Sequence, residues 1–244
     1  MIGTETTVQV TSLGGAESEA QRRAAAEHAV EWVEDGMVLG FGTGRAAGHA
    51  LEAIAERVRG GLRITGVPSS HATEEKARAL NLAITTLDEH PRLDLTIDGA
   101  DEVDPRGRLI KGAGGALLRE KVLAAASERL VIVVEQRKLV PVLGTTRGLP
   151  LEVLPFAWTA CAEHLRQLGG DPTLRLAPSG DAAVTDNGHW LIDCAFAADA
   201  FATPGKLDRA IRRIPGILET GLFYGFGARI VVGEPAGVRV FRQR

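Results

Sequence analysis

The sequence predicts an α/β protein with two domains. Over residues 18–144, short β-branched runs alternate with helical segments, which favours a Rossmann-like, open and mostly parallel sheet flanked by helices. Residues 145–224 follow the order βαββαβ instead, which is typical of a smaller ferredoxin-like α+β domain. Strand-like runs at residues 228–232 and 238–242 are expected to return to the first sheet, so residues 225–244 are assigned to the larger domain.

The first elements are predicted from periodicity and from capping residues. Residues 1–17 are rich in Thr, Ser and Gly without a period, which predicts a flexible arm. Ser18 is expected to cap a helix over residues 19–34, where apolar residues recur at helical spacing. A buried strand at residues 37–41 precedes a glycine turn and a helix that ends near residue 57. A strand at residues 62–67 follows, and Thr73 is expected to cap a helix over residues 74–80.

The later elements continue this alternation. Strands are predicted at residues 82–86, 93–97 and 130–134, and a helix that carries Glu120 precedes the last of them. The smaller domain begins with a strand at 149–154 and a helix at 159–168. Strands near residues 173–176 and 189–194 flank a turn with the pair Asn187-Gly188, which is a strong hairpin signal. A helix at 204–214 and a strand at 216–223 complete this domain.

The composition is that of an ordinary globular protein and excludes several classes. Lys and Arg number 28 against 31 Asp and Glu, and the formal net charge of −3 disfavours nucleic acid and anionic membranes as partners. No apolar run approaches the roughly 18 residues of a membrane span, and no signal peptide is evident, so the cytoplasm is the expected compartment. Cys161 and Cys194 lack metal or redox spacing and are expected to be buried thiols.

Chemistry-bearing residues concentrate in residues 93–121. A strand-like run is followed by Asp98, Asp101, Glu102 and Asp104, and then by Lys111, a glycine-rich loop at 112–115 and a helix. Open α/β sheets bind ligands at the carboxyl ends of strands, and helix starts attract anions, so this segment predicts a site for a small, oxygen-rich, negatively charged molecule. A solvated acidic turn and a metal site are the alternatives, although the spacing does not match a calcium loop.

A second glycine-rich turn, at residues 40–48, joins a strand to a helix start. This arrangement predicts a cradle for a phosphate or similar anion. It lacks the Gly-Lys-Ser/Thr of a Walker A loop, and no acid follows the next strand to hold a ribose diol, which disfavours a dinucleotide. A tight turn needed only for packing remains the alternative. Lys138, just past a strand end, is a candidate for the same crevice or an ordinary surface lysine.

Five stretches resemble the signatures of one family, type A ribose-5-phosphate isomerase. They begin at Gly42 (GTGRAAG), Ile97 (IDGADEVD), Ile110 (IKGAGGALLREK), Val184 (VTDNGHWLID) and Pro215 (PGILETGLF). The resemblance covers roughly nine-tenths of the chain, from about residue 20 to the end. It implies the two-domain architecture described above and an isomerase that interconverts ribose 5-phosphate and ribulose 5-phosphate in the pentose phosphate pathway.

The resemblance also implies roles for individual residues. Glu120 would transfer the proton, and Asp98, Asp101 and Lys111 would surround the reacting end of the sugar. The expected substrate-binding residues are Thr43, Gly44, Arg45, Ala46, Gly99, Ala100, Gly112, Ala113, Gly114 and Lys138. The chemistry requires no metal and no redox cofactor, because one carboxylate can move a proton between C1 and C2 through an enediol(ate) while an ammonium stabilises the oxygen. A homodimer or homotetramer is expected as the assembly.

The chain departs from the family pattern near the expected phosphate. Arg45-Ala46 stands where the family usually has Ser-Thr, so Arg45 either binds phosphate bidentately or points to solvent. Arg22 and Arg23 stand where the family often has lysines, and a solvated helix face explains them equally well. The departure at the phosphate side leaves the reaction class standing and bears on the identity of the substrate. The alternative functions are a non-catalytic sugar-phosphate sensor and an isomerase of another phosphosugar. A sensor usually carries a DNA-binding helix-turn-helix, for which residues 1–17 are too short and too polar.

Overall fold

The computed structural model describes residues 10–244, with side chains from Gly15 onward. The helices are α1 (Val10–Val30), α2 (Arg45–Arg59), α3 (His71–Ala79), α4 (Leu117–Ala126), α5 (Trp158–Gln167) and α6 (Pro204–Arg212). The strands are β1 (Val38–Phe41), β2 (Thr65–Pro68), β3 (Leu93–Gly99), β4 (Glu102–Val103), β5 (Leu109–Ile110), β6 (Ser127–Glu135), β7 (Leu149–Val153), β8 (Asp171–Leu174), β9 (Trp190–Ala195), β10 (Ile217–Thr220), β11 (Leu222–Phe223), β12 (Arg229–Glu234) and β13 (Gly237–Arg242). None of the described helices is long and apolar enough to cross a membrane.

The main sheet has six strands in the order β13-β12-β6-β3-β1-β2. All neighbours are parallel except β12 and β13, so the predicted open, mostly parallel sheet is confirmed. The last two strands return to this sheet, as expected from the sequence. Helices α1 and α2 pack against each other and against the sheet through a cluster of buried Ala, Val, Leu and Ile side chains.

A second sheet has four antiparallel strands in the order β10-β7-β9-β8. With α5 and α6 this is the βαββαβ arrangement predicted for the ferredoxin-like part. A third sheet has three strands in the order β11-β5-β4; β4 and β5 lie between β3 and β6 in sequence, and β11 directly follows β10. Helix α4 contacts β3 and β6 of the main sheet and also β7 and β10 of the second sheet. The proposed domain limits at residues 145 and 224 stay a prediction.

The predicted start of the first helix is wrong. Helix α1 begins at Val10, so Ser18 lies inside it, and residues 10–17 are helical rather than an arm; residues 1–9 lie outside the described residues. Two polar side chains of α1 are buried by contacts with residues distant in sequence. Arg22 binds Glu135, and the side chain of Gln21 accepts the N–H of Gln136. Contacts of this kind are invisible to periodicity.

Three other local predictions are also wrong. The N-cap of α3 is Ser70, whose hydroxyl accepts the N–H of Thr73 at 3.1 Å, so Thr73 lies inside the helix. Residues 82–86 form only one bridge, between Gly66 and Ile84, instead of a strand. The predicted strand at 216–223 divides at Gly221, where a Cβ would lie 2.2 Å from the carbonyl oxygen of Lys111; β10 and β11 consequently join different sheets.

The predicted Asn187-Gly188 turn is present, but it does not join β8 to β9 directly. Gly188 donates its N–H to Thr185, and a bridge between Val184 and Trp190 closes this short hairpin. A second turn around residues 177–180 separates it from β8. Cys161 and Cys194 are buried free thiols, as expected.

Candidate active site

The site begins where β1 and β3 end side by side. In this parallel pair Phe41 lies opposite Ile97, which brings the following residues, Gly42 and Asp98, together. A Cβ on Gly42 would lie 2.3 Å from Asp98 Oδ1 and 2.6 Å from its Cα, so only glycine permits this approach. Asp98 is 1% exposed, and its Oδ1 accepts the N–H groups of Thr43 at 3.1 Å and Gly99 at 2.7 Å.

Lys111, directly after β5, places its ammonium between two carboxylates. Its Nζ lies 2.9 Å from Asp98 Oδ2 and 3.3 Å from Glu120 Oε2, and it donates to the carbonyl of Gly99 at 2.5 Å. Lys111 is 3% exposed, and Glu120, in the first turn of α4, is 6% exposed. The three charged groups therefore form a buried cluster with one positive and two potential negative charges.

This imbalance shifts the protonation of the cluster. The pKa of Glu120 is raised to about 8, first because burial disfavours the carboxylate and then because Asp98 is close. Burial also raises the pKa of Asp98, although Lys111 and two backbone N–H groups oppose it. Burial alone would lower the pKa of Lys111, but attraction to Asp98 and Glu120 outweighs it and raises that pKa. Glu120 Oε2 has no hydrogen-bond partner among the described residues, so this carboxyl is the one best placed to gain and lose a proton.

The acidic segment divides between site and scaffold. Asp101 Oδ2 accepts the N–H of Ala113 at 2.8 Å, and its Oδ1 lies 4.0 Å from Lys138 Nζ. Burial lowers the pKa of Lys138, which is half-buried beside Asp101. Glu102 instead accepts the N–H groups of residues 144 and 146, and Asp104 accepts that of residue 108. Both of these carboxylates are therefore used to hold loops.

A cavity of about 240 Å³ opens beside the cluster. Every site residue predicted from the sequence lines it except Asp98, which contacts Lys111 and is 1% exposed. The lining comprises Arg22, Thr43, Gly44, Arg45, Ala46, Gly99, Ala100, Asp101, Lys111, Gly112, Ala113, Gly114, Glu120, Glu135 and Lys138. Among the described residues no group of three or more His, Cys, Asp or Glu has the geometry of a metal site.

Cationic side chains and the start of helix α2 also line the cavity. Helix α2 begins here with Gly44 at φ 99° and without a side-chain cap, which leaves first-turn N–H groups open to an anion. The hydroxyl of Thr43 is engaged with Ser69, Ser70 and Thr73 at 2.7, 2.9 and 3.1 Å. Thr43 thus holds the glycine turn to α3 through its hydroxyl. Arg45, the first residue of α2, is exposed at the cavity rim.

Arg22 and Glu135 were not among the predicted site residues. Arg22 is 4% exposed, its Nη1 lies 3.0 Å from Glu135 Oε1, and its Nη2 lies 2.5 Å from Glu19 Oε2. Its Nε has no hydrogen-bond partner among the described residues. The neighbouring Arg23 is exposed, so the solvated-face interpretation fits Arg23 and fails for Arg22. Only the packing of α1 against the end of β6 distinguishes the two.

Comparison with known proteins agrees with this geometry. The family model described as "Ribose 5-phosphate isomerase A (phosphoriboisomerase A)" matches residues 65–237. The chain belongs to this isomerase family. Ribose-5-phosphate isomerase A of Gloeobacter violaceus is 51% identical over 90% of this chain and 94% of the relative. The protein of the same name from Thermomicrobium roseum is 44% identical over 93% of this chain and 95% of its own length.

Solved structures of ribose 5-phosphate isomerases share the fold. The enzyme of Methanocaldococcus jannaschii superposes with a TM-score of 0.87 at 33% identity, covering 92% of this chain and 99% of that one. A D-ribose-5-phosphate isomerase in complex with phospho-erythronic acid gives a TM-score of 0.89 at 34% identity, with the same coverage. These neighbours confirm the predicted fold class of a mostly parallel, helix-flanked sheet with a smaller antiparallel one.

Proposed function

We propose that this chain interconverts D-ribose 5-phosphate and D-ribulose 5-phosphate in the non-oxidative pentose phosphate pathway. The observation that carries the proposal is the buried cluster of Asp98, Lys111 and Glu120 beside a cavity that Arg22, Arg45 and Lys138 also line. A phosphosugar has the matching polarity, with a reacting carbonyl at one end and a dianion at the other. The cavity volume of about 240 Å³ suits a ligand of this small size.

Proton transfer is assigned to Glu120. As a carboxylate it takes the proton from C2 of the open-chain aldose and, as the acid, returns it to C1 of the enediolate. A second proton moves from O2 to O1, so the interconversion neither gains nor loses protons. A pKa of about 8 suits this role, because the group then exists in both forms near neutral pH.

The remaining cluster residues support charge on the substrate. Lys111, held against Asp98 at 2.9 Å, stabilises the negative oxygen that develops on the enediolate. Asp101, beside Lys138, binds a sugar hydroxyl and assists ring opening. The backbone of residues 99–100 and 112–114 forms the walls that orient the chain of the sugar.

Three cations and one helix start are assigned to the phosphate. Arg22, Arg45 and Lys138 line the cavity, and residues 44–46 present the open first turn of α2. The Nε of the buried Arg22 has no partner among the residues that the structure describes, and the exposed Arg45 offers a planar guanidinium that matches phosphate geometry. Arg45 thereby substitutes for the hydroxyl donors that stand at this turn in the family pattern.

Turnover by the Glu120→Gln variant tests the proposal. Wild-type protein is incubated with ribose 5-phosphate and ketose formation is followed, with Glu163→Gln, an exposed glutamate on α5, as the matched control. We expect the control to match the wild type. The kcat of Glu120→Gln should fall by about a hundredfold to ten-thousandfold, the usual contribution of a general base. Full activity of Glu120→Gln would remove this residue from the reaction, and an inactive wild type would refute the function.

We also propose a homo-oligomer, a dimer or tetramer, located in the cytoplasm. An apolar surface at the edge of the second sheet supports the assembly: Leu154 and Leu218 are 42% and 39% exposed on adjacent strand ends, and Phe156 is 96% exposed. Sedimentation equilibrium measures the mass directly. A mass of 25.8 kDa, that of one chain, at micromolar concentration would contradict the assembly.

A further inference from the structure

The guanidinium of Arg175, next to the second sheet, donates hydrogen bonds to the glycine-rich loop of the site. Arg175, directly after β8, donates from Nη1 to the carbonyl oxygens of Gly112 at 3.0 Å and Ala113 at 3.1 Å. Its Nε and Nη2 bind the two oxygens of Asp193 on β9 at 2.7 and 2.5 Å. Arg175 is absent from the lining of the active-site cavity and lines a neighbouring cavity that shares Thr43, Ala113 and Gly114 with it.

These two contacts set the direction of the peptide planes. In a trans peptide bond the C=O and N–H point in opposite directions, and the described chain has no cis peptide bond. The carbonyl of Gly112 shares its plane with the N–H of Ala113, and that of Ala113 shares its plane with the N–H of Gly114. Holding both carbonyls against Arg175 therefore turns both N–H groups away from it, and that of Ala113 points to Asp101 in the active-site cavity.

The observed hydrogen bonds agree with this direction. The N–H of Ala113 donates to Asp101 Oδ2 at 2.8 Å, on the cavity side. The N–H of Gly114 meets no acceptor within residues 10–244, and Gly114 lies between the active-site cavity and the cavity beside Arg175 and lines both. Gly112 adopts φ +111°, a conformation that glycine tolerates and that other residues rarely adopt. Its carbonyl also accepts the N–H of Gly115 at 3.0 Å, so Arg175 reinforces a turn that the loop already forms.

We propose that Arg175 is a positioning residue for the isomerisation. By holding the carbonyls of Gly112 and Ala113, it keeps the Gly114 N–H aimed at the substrate oxygen that becomes negative in the enediolate, and keeps Ala113 on Asp101. Asp193 fixes the guanidinium bidentately so that Nη1 remains available to the loop. This role rests on the function proposed above and extends the reacting end of the site into the second sheet.

A merely structural role predicts a different outcome. If the ion pair between Arg175 and Asp193 only joined β8 to β9, its removal would leave turnover unchanged. It would also change the free energy of unfolding little, because partly exposed ion pairs contribute little. A positioning role affects kcat, because preorganised donors act on charge that develops in the transition state. It leaves KM nearly unchanged, because the phosphate-binding end, at residues 22, 45 and 138, is untouched.

The experiment compares Arg175→Ala and Arg175→Lys with Arg166→Ala, an exposed arginine on α5, as the control. Steady-state kinetics with ribose 5-phosphate should give a loss of about tenfold to several hundredfold in kcat for Arg175→Ala, within the range for removal of an oxyanion donor. KM should change by less than about threefold, and millimolar methylguanidinium should restore part of kcat in Arg175→Ala only. Arg175→Lys keeps the charge and serves as the measured variant if Arg175→Ala does not fold.

Inhibitor binding separates the two ends of the site. Phospho-erythronic acid carries a carboxylate that resembles the enediolate in shape and charge, and inorganic phosphate probes only the anion end. In both Arg175 variants, the inhibition constant of phospho-erythronic acid should rise in proportion to the loss of kcat. The inhibition constant of inorganic phosphate should stay the same. An active wild type with unchanged kcat in both variants overturns the role of Arg175 alone, and an inactive wild type overturns the proposed function.

Discussion

Replacing Glu120 with glutamine should make the protein more stable in alkaline solution while it abolishes turnover. The carboxyl of Glu120 is 6% exposed, and one of its oxygens has no hydrogen-bond partner among the described residues. Its charged form is therefore poorly solvated and lies near the charge of Asp98. Glutamine has nearly the same shape and carries no charge at any pH.

The magnitude follows from the raised pKa of Glu120. The unfolded chain releases this proton near pH 4.5, whereas the folded protein retains it up to about pH 8. Between these values the folded state binds more protons than the unfolded state, so wild-type stability falls as pH rises. The cumulative loss from this group is roughly 3 kcal/mol at pH 7 and roughly 5 kcal/mol above pH 8. It is absent below about pH 4.5, where both states are protonated.

Urea unfolding of wild type and Glu120→Gln at pH 5, 7 and 9 measures this difference. Other titrating groups are common to both proteins and largely cancel, and Glu163→Gln supplies the matched control. We expect Glu120→Gln to gain stability over wild type progressively from pH 5 to pH 9. A gain that is constant with pH, or a variant that is less stable than wild type at pH 9, would refute the assignment of the raised pKa to Glu120.

Three further outcomes are expected. The kcat/KM of the wild type should rise about tenfold per pH unit below pH 8 and level off above it, because Glu120 must be ionised in the free enzyme; a profile that is flat from pH 6 to 9 would contradict this. Gly42→Ala should lower kcat severely, because its Cβ would lie 2.3 Å from Asp98 Oδ1. Gly15→Ala should behave as wild type in the same turnover assay, because its Cβ would meet no described atom within 4 Å. Arg45→Ala should raise KM for ribose 5-phosphate about tenfold or more, as expected for loss of a charge-assisted contact, with kcat nearly retained; an unchanged KM would show that Arg45 points to solvent.

The main elements of the fold were predictable because hydrophobic periodicity reflects burial on a sheet. Strand β6 is an apolar, β-branched run and was located within a few residues, and the βαββαβ order identified the second sheet. The start of α1 was not predictable, because its first two turns have no apolar period. The division of residues 216–223 at Gly221 depends on the close approach of Lys111, which comes from a distant part of the chain.

The candidate site was predictable where it is local in sequence. Asp98, Lys111 and Glu120 lie within one strand–loop–helix segment, so ordinary topology brings them together. Arg22 and Arg175 reach the site through long-range packing, and each looks like a surface arginine in its own neighbourhood. Sequence patterns report which residues face the core, whereas the direction of a single guanidinium is decided by partners from other elements.

The residues assigned to proton transfer and those assigned to the anion come from different parts of the chain, which bears on how substrate specificity could be changed. The groups assigned to proton transfer come from one contiguous segment, residues 98–120, while those assigned to the anion come from three separate places, at residues 22, 45 and 138. Of these, only Arg45 is exposed, whereas Arg22 is buried against Glu135 and Lys138 lies 4.0 Å from Asp101. Residue 45 is therefore the rational starting point for a mutant library that redesigns the enzyme toward sugars with a sulfate or carboxylate tail.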